Sequence, residues 1–555
     1  MRNLTERIDM ALGRCKAALV IKNARIFHLT DGSFEVADIA IDREGVIAAI
    51  GTGYAGEREL DATGLTAVPG FIDTHLHTES SLMTPHEFER CALQYGVTTI
   101  ACDPHELANV IGTAAFDYLF AYAERLTMGI MVRFSSCVPA TSLETSGAVI
   151  SAKELRHWHQ LHPEAFLGEF MNVPGVLYKD PEVLEKLSLF DNIDGHCPLL
   201  SGKELNAYLS VGVCNCHETS LLEEGREKLR RGMRLFIREG SAARNLNTLM
   251  PLMTLENSPF ITFCTDDRNP LDLQELGYLD RMIAHVIAAG VPPLVAYRIA
   301  SWSGAQALQL HDRGLIAPGK RADIVLLSDL KSCTIEKVIV HGHLANEIDY
   351  PKGFMPSPDA FRNSIKCREM TPEDFLARKA SGGPLPVIGI RDGDLVTDYL
   401  NLPPDAEDVL SLAVIERHGK NGNIGKGFVH GFGLKQGAIA SSVGHDSHNI
   451  CVVGTNQADM ATAVNALREM QGGFIAVRDG QALGSVPLPL AGLFSDQPAK
   501  TIAKQLQELR RAVQECGCLL KEPFMQMAFI PLPVIPHLKL TDFGLVDVDK
   551  FQLIK

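Results

Sequence analysis

Apolar residues between positions 19 and 60 come in short runs broken by polar turns. LVIKNARIFHL and DIAIDREGVIAAIG, with a turn at Asp31-Gly32, predict a set of short strands. From about residue 65 the pattern changes to a repeated cycle of apolar run, polar break and amphipathic stretch. Thr66–Asp73, Val97–Cys102, Gly129–Ser135, Phe166–Phe170, Asn192–Gly195, Val211–Asn215, Met233–Ile237 and Phe260–Thr265 are the predicted strands. Pro85–Tyr95, Thr113–Arg125, Ala152–Leu161, Lys203–Val211 and Leu221–Gly232 are predicted helices between them. Apolar strands alternating with helices over roughly 250 residues predict an α/β chain built on a (β/α)8 barrel of the TIM type.

The segment Arg313–Glu347, with RGLIAPGKRADIVLLSD and EKVIVHGHLANE, returns to short strands. These are expected to complete the sheet begun upstream, making a small β-sandwich from residues 1–64 and 314–350 around a barrel at 65–313. Residues 351–385, rich in Pro, Gly and Ser, read as a linker, and 386–555 as an additional C-terminal α/β domain. The length of 555 residues accommodates these three units.

Charge and cysteine content narrow the class. With 52 Lys and Arg against 67 Asp and Glu the net charge is −15, which disfavours nucleic acid or an anionic membrane as partner. Thirteen cysteines are an odd number with no CxxC pair, so reduced thiols are expected rather than a disulfide framework. The N-terminal apolar run is too short for a signal sequence, and no window reaches about 18 uncharged apolar residues. A cytoplasmic location is expected.

The strongest motif is PGFIDTHLHTES, where His75 and His77 stand two apart at the end of a predicted strand. Period-two geometry turns both imidazoles to one face, which suits a divalent metal. A bare HxH also arises by chance, and His341/His343 reads as such a pair. What raises the first pair is its company at later strand ends: Glu169 in FLGEF, His196 in IDGH, His217 in CNCHE and Asp266 in FCTD. Six ligand-type residues at strand ends, where barrel active sites sit, predict a metal site.

PGFIDTHLH, the strand-end His196, His217 and Asp266, and APGKRADIVLL together resemble the amidohydrolase superfamily. GFGLKQGAIASSVGHDSHNICVVG at 431–454, TTIACDPHE at 98–106 and HCP at 196–198 resemble the adenine deaminase family, over essentially the whole chain. The resemblance implies His75, His77 and Asp266 on one metal and His196 and His217 on the other. Glu169 stands where many relatives carry a bridging carboxylated lysine, and its two oxygens suit it to bridge. The implied metals are two divalent ions, Mn(II) or Fe(II) in preference to Zn(II).

The implied reaction is hydrolysis of adenine to hypoxanthine and ammonia in purine salvage, with attack at C6 by hydroxide generated between the two cations. Asp266 would carry a proton from nucleophile to leaving group. Glu218, beside His217, is the expected acid for N1, its pKa raised by an apolar barrel mouth. Related enzymes commonly form homodimers, and a homo-oligomer is expected. Two other readings stand beside this one: hydrolysis of another aminated purine or cyclic amide, and a non-catalytic scaffold. The scaffold is disfavoured because all six ligand positions are filled.

Three segments leave alternatives open. Asp103, His105 and Glu106 in DPHE could bind substrate or an additional metal, or form a plain Asp-Pro turn. Arg238, Glu239 and Ser241 in IREGSAARN offer hydrogen bonds to purine nitrogens, or a local Arg238–Glu239 ion pair. His445, Asp446 and His448 in HDSHN either reach the barrel mouth or organise the C-terminal domain. The glycine-rich run GNIGKGFVHGFGLKQG lacks the residues of a phosphate loop, and the cytidine-deaminase cysteine pattern is absent.

Overall fold

The run predicted as one strand over Thr66–Asp73 divides in two. In a computed structural model, which describes residues 4–241, 243–350, 359–376, 383–403 and 405–554, Thr66–Pro69 and Phe71–Leu76 lie in different sheets. Gly70 is the joint. A Cβ there would stand 2.2 Å from Thr98 Oγ1, so glycine alone lets the chain pass the neighbouring strand as it changes sheets.

Thr66–Pro69 pairs with Ile324–Asp329 and with Ala17–Phe27, which brings both flanks of the chain into one eight-stranded sheet. Thr334–Val340 and His343–Leu344 extend it on one side, Phe34–Ile41 and Ile47–Gly51 on the other. Its core is β-branched: Ile21, Ile26, Ile39, Ile47, Ile324 and Ile339 are all buried. Each such side chain contributes about 1.5–3 kcal/mol by leaving water.

The predicted barrel strands form three parallel ladders. Phe71–Leu76, Val97–Cys102 and Gly129–Val132 make the first, Leu167–Phe170 and Ile193–Gly195 the second. Asn215–Cys216, Arg234–Arg238 and Ile261–Cys264 make the third. Single parallel bridges, Phe134 to Leu167, Ile193 to Val213 and Leu76 to Asp266, link the ladders. Most of these strands are buried end to end, which accounts for unbroken apolar runs where a half-exposed strand would alternate. The sixth strand falls later than predicted. Helix Gly202–Ser210 runs up to it, and Gly212 at φ +100° turns the chain before pairing begins.

Residues 385–487 form a second eight-stranded sheet, covered on one face by helix Gln457–Glu469. Met460, Val464 and Leu467 of that helix pack against Ala413, Val452 and Ile475 of the sheet. Of the predicted linker, residues 351–358 and 377–382 lie outside the described residues. The part between them is packed: Phe361, Ile365, Met370 and Phe375 are buried, the last three in the core beneath the same helix.

The C-terminal region is fastened to the loops after the parallel strands. Asp542 accepts from Thr145 N at 2.9 Å and Thr145 Oγ1 at 2.6 Å, and Asn449 Nδ2 donates to Thr145 O at 2.9 Å. Ser495 N donates to Leu82 O at 2.8 Å. Among the described residues no helix is long and apolar enough to cross a membrane.

Candidate metal centre

His75 and His77 leave the first parallel strand with their rings fixed by different partners. His77 Nδ1 lies 2.8 Å from the Asp103 carbonyl, which can only accept, so Nδ1 carries the proton and Nε2 presents a lone pair. His75 Nδ1 lies 2.6 Å from Asp194 Oδ2 by the same logic, and its buried Nε2 has no hydrogen-bond partner. Both Nε2 atoms face Asp266 Oδ1, at 3.6 and 3.1 Å, and Glu169 Oε1, at 3.9 and 3.3 Å.

Glu169 ends the fourth strand with its oxygens facing opposite ways. Oε1 meets His75 and His77, while Oε2 lies 2.7 Å from His196 Nδ1 and 3.3 Å from His217 Nε2. The two separations from His75 Nε2, 3.6 and 3.9 Å, exceed a hydrogen bond. Two donors held at about 2.1 Å on one cation at the tetrahedral angle stand about 3.4 Å apart. His75, His77 and Glu169 form one set able to hold an ion, and Glu169, His196 and His217 a second, sharing the carboxylate. A bare buried imidazole nitrogen aimed at two carboxylates fits a divalent metal, with His donors and Glu169 between the sets.

Asp266 takes a left-handed conformation at φ +57°, which aspartate tolerates better than most side chains. Its N–H donates to His75 O at 3.0 Å and its carbonyl accepts from His77 N at 3.3 Å, so first and last strands meet at the ligands. Arg238 donates to Asp266 Oδ2 and forms a two-pronged pair with Glu218. Burial pushes the Asp266 carboxyl up, but Arg238 and the neighbouring histidines outweigh it and hold it well below the usual range. Burial likewise opposes ionisation of Glu169, and hydrogen bonds from the surrounding histidines, His105 first, hold it well below its ordinary value.

Glu218 corrects an expectation. An apolar mouth was expected to raise its pKa; burial does act in that direction, but Arg238, then His196 and His217, lower it instead. The Arg238–Glu239 ion pair is also not formed, since the guanidinium points to Glu218 and Asp266.

A cleft brings together His77, His105, Glu169, His196, His217, Glu218, Arg238 and Asp266 with His445 and Asp446 of the C-terminal region. Leu395, Phe529, Leu532 and Ile535 supply its apolar wall. Five of the expected substrate residues stand elsewhere. Asp103 is buried, accepting from Ser135 Oγ and Glu169 N, each at 2.8 Å. Glu106 lies behind His105 and accepts from Ser80 Oγ at 3.1 Å. Glu239 accepts from Leu246 N at 3.3 Å beside a separate hollow, and Ser241 Oγ accepts from Asn269 N at 3.0 Å. His448 is buried behind the cleft, where Nδ1 accepts from Gly444 N at 3.2 Å.

Asp194 and Arg133 escaped the sequence reading. Both are almost fully buried, and Arg133 pairs with the carboxylate that orients His75. The signal was present in IDGH: Asp194 stands two residues before His196, the same spacing that singled out His75 and His77.

Comparison with known proteins agrees with this geometry. Residues 66–345, carrying all six expected ligand positions, match the amidohydrolase family, and the chain belongs to it. Residues 390–552 match the adenine deaminase C-terminal domain. The chain is 51% identical over 566 residues to the adenine deaminase of Gluconobacter oxydans (strain 621H), covering 100% of both. It is 51% identical to that of Methylobacterium sp. (strain 4-46) and 50% identical to adenine deaminase 1 of Rhizobium meliloti (strain 1021), covering 99% of each chain. Within the amidohydrolases it is a member of the adenine deaminase family.

Proposed function

We propose that the chain hydrolyses adenine to hypoxanthine and ammonia at this cleft. The observation that carries the reading is Glu169, whose two oxygens each face a separate pair of histidines with Asp266 alongside. His75, His77, Asp266 and Glu169 would hold one divalent cation, and His196, His217 and Glu169 the other. When bound, such cations lower the pKa of a shared water and make it a nucleophile at neutral pH.

The chain's own residues then manage the protons. Glu218, ionised beside Arg238, accepts the proton released by the water and delivers it to N1 of the ring. Asp266 accepts the second proton and hands it to the exocyclic amino group, which leaves as ammonia. Arg238 bridges both carboxylates and keeps them on one side of the cleft. Leu395, Phe529, Leu532 and Ile535 give the purine an apolar wall and exclude bulk water.

The three parallel ladders and their linking bridges support a closed (β/α)8 barrel at 65–313. The shared sheet of both flanks supports a β-domain from 1–64 and 314–350, and the second large sheet a C-terminal domain at 386–555. Mn(II) or Fe(II) in preference to Zn(II), a homodimer and a cytoplasmic location complete the proposal. Ammonia release from a panel of purines by the Mn(II)-loaded protein tests it. Adenine should be the best substrate; inactivity on adenine with activity on another amino-purine overturns the assignment.

A further inference from the structure

The cleft continues into a second polar cluster that the deamination chemistry does not use. Five carboxylates crowd it: Glu79, Glu106, Glu144, Asp267 and Asp446, all buried. Among the described residues no lysine or arginine lies within ion-pair distance of any of them; their cationic partners are histidines alone. Some hydrogen bonds are present. Ser80 Oγ reaches both Glu106 and Asp267, and Glu79 accepts from Leu107 N at 3.0 Å. Asp446 Oδ2 and Glu106 Oε2 are nevertheless buried with no donor at all. A carboxylate oxygen withdrawn from water without a donor is destabilising as an anion, so such a group either takes up a proton or is met by a cation.

Donor spacing says where such a cation fits. His105 Nε2 is 3.7 Å from Asp446 Oδ1, and His445 Nδ1 is 3.8 Å from that same oxygen and 3.8 Å from Glu106 Oε1. These gaps are too long for hydrogen bonds and close to the separation of two ligands on one ion. His105, His445 and Asp446 together form a set able to hold a metal. His105 lies between the two clusters, with Nδ1 3.2 Å from Glu169 Oε1 and without a hydrogen-bond partner, and with Nε2 turned to Asp446. Phe529 stacks on the His445 ring at 4.5 Å and fixes its plane. His448 is excluded as a ligand. Its Nδ1 accepts a backbone N–H, so Nε2 carries the proton and points at Glu106.

We infer that His105, His445 and Asp446, with Glu106 beside them, form a third divalent-cation site that joins the DPHE segment to the C-terminal region. Two imidazoles and one or two carboxylates suit a borderline transition metal rather than calcium. Through His105, whose Nδ1 lies 3.2 Å from Glu169 Oε1, the site borders the two-metal centre.

Metal counting tests this without reference to substrate. The full chain is stripped with chelator, reconstituted with Mn(II), freed of excess metal by gel filtration and analysed by mass spectrometry. The expected count is three ions per chain, falling to two in Asp446→Asn and in His445→Gln. Co(II) substitution gives an independent reading, since d–d absorption from this site should disappear in His445→Gln while that of the other two ions persists. A count of two in the unaltered protein overturns the proposal even if both variants fail to fold. A count of three that neither variant lowers overturns it as well.

Discussion

Asp194→Asn isolates the contribution of a group one step removed from the proposed metal ligands. Its Oδ2 holds His75 Nδ1 at 2.6 Å and receives Arg133, with both charged groups almost fully buried. A charged hydrogen bond of this kind is worth about 1.5–3 kcal/mol and a neutral one about 0.5–1.5. Asparagine keeps the shape and loses about 1–1.5 kcal/mol of preference for the Nδ1-protonated imidazole. That corresponds to roughly a tenfold weaker hold on the ion bound by His75, the lower end of the 10- to 100-fold range for such partners. A second effect is separable from the first. Arg133 is left without its counter-charge, and breaking one side of a buried pair costs about 3–5 kcal/mol of stability. Competition against a chromophoric chelator reads Mn(II) affinity, and thermal melting at fixed scan rate reads stability. Melting lowered with Mn(II) affinity unchanged within twofold would refute the reasoning, leaving Asp194 as a structural ion-pair partner only.

Gly168→Ala should damage the site more than the fold, because a Cβ there would stand 2.1 Å from Asp103 Oδ2, the atom that accepts from Glu169 N. Loss of bound metal at near-normal melting temperature is the expected result, and full metal content would count against it. Glu218→Gln should retain its metals and lose about 10²–10⁴-fold in kcat, read as ammonia release; intact turnover would remove Glu218 from the proton path. Lys539 is fully buried, donating to Phe529 O at 3.0 Å, and burial lowers its pKa from 10.5 to about 7. Between those values the unfolded chain carries one more proton than the folded one, so stability should rise with pH across that window and stay flat below it. Lys539→Met should abolish that rise, seen in unfolding midpoints from pH 7 to 10; an unchanged slope would assign it to other groups.

Much of the catalytic half was legible because its signals are local. Unbroken apolar runs mark buried parallel strands, and His75 and His77 carry their geometry in a two-residue spacing. Asp194 was legible by the same parity but lacks a histidine's prior as a ligand. Glu218 was found, yet its electrostatics were not. The guanidinium that lowers its pKa arrives from another strand, twenty residues on, and only packing brings the two together. The split at Gly70 was hidden for a similar reason. An apolar run reads the same whether one sheet or two receives it, and the deciding contact is with Thr98 on the next strand. HDSHN left two readings open because its position depends on hydrogen bonds such as Asn449 to Thr145, more than 300 residues apart in sequence.

The meeting of His75, His77 and Asp266 has a mechanical side. Their backbones bond to one another across the seam between the first and last parallel strands, closing a loop of nearly 190 residues. Closing so long a loop carries an entropy penalty that grows only slowly with its length, and a few backbone bonds bear it. A cation gripped by those three side chains would act as a clasp on the same seam, so occupancy and closure become thermodynamically linked. Emptying the site should therefore loosen the seam before the rest of the fold, and amides around Leu76 and Asp266 should be the first to exchange their hydrogens.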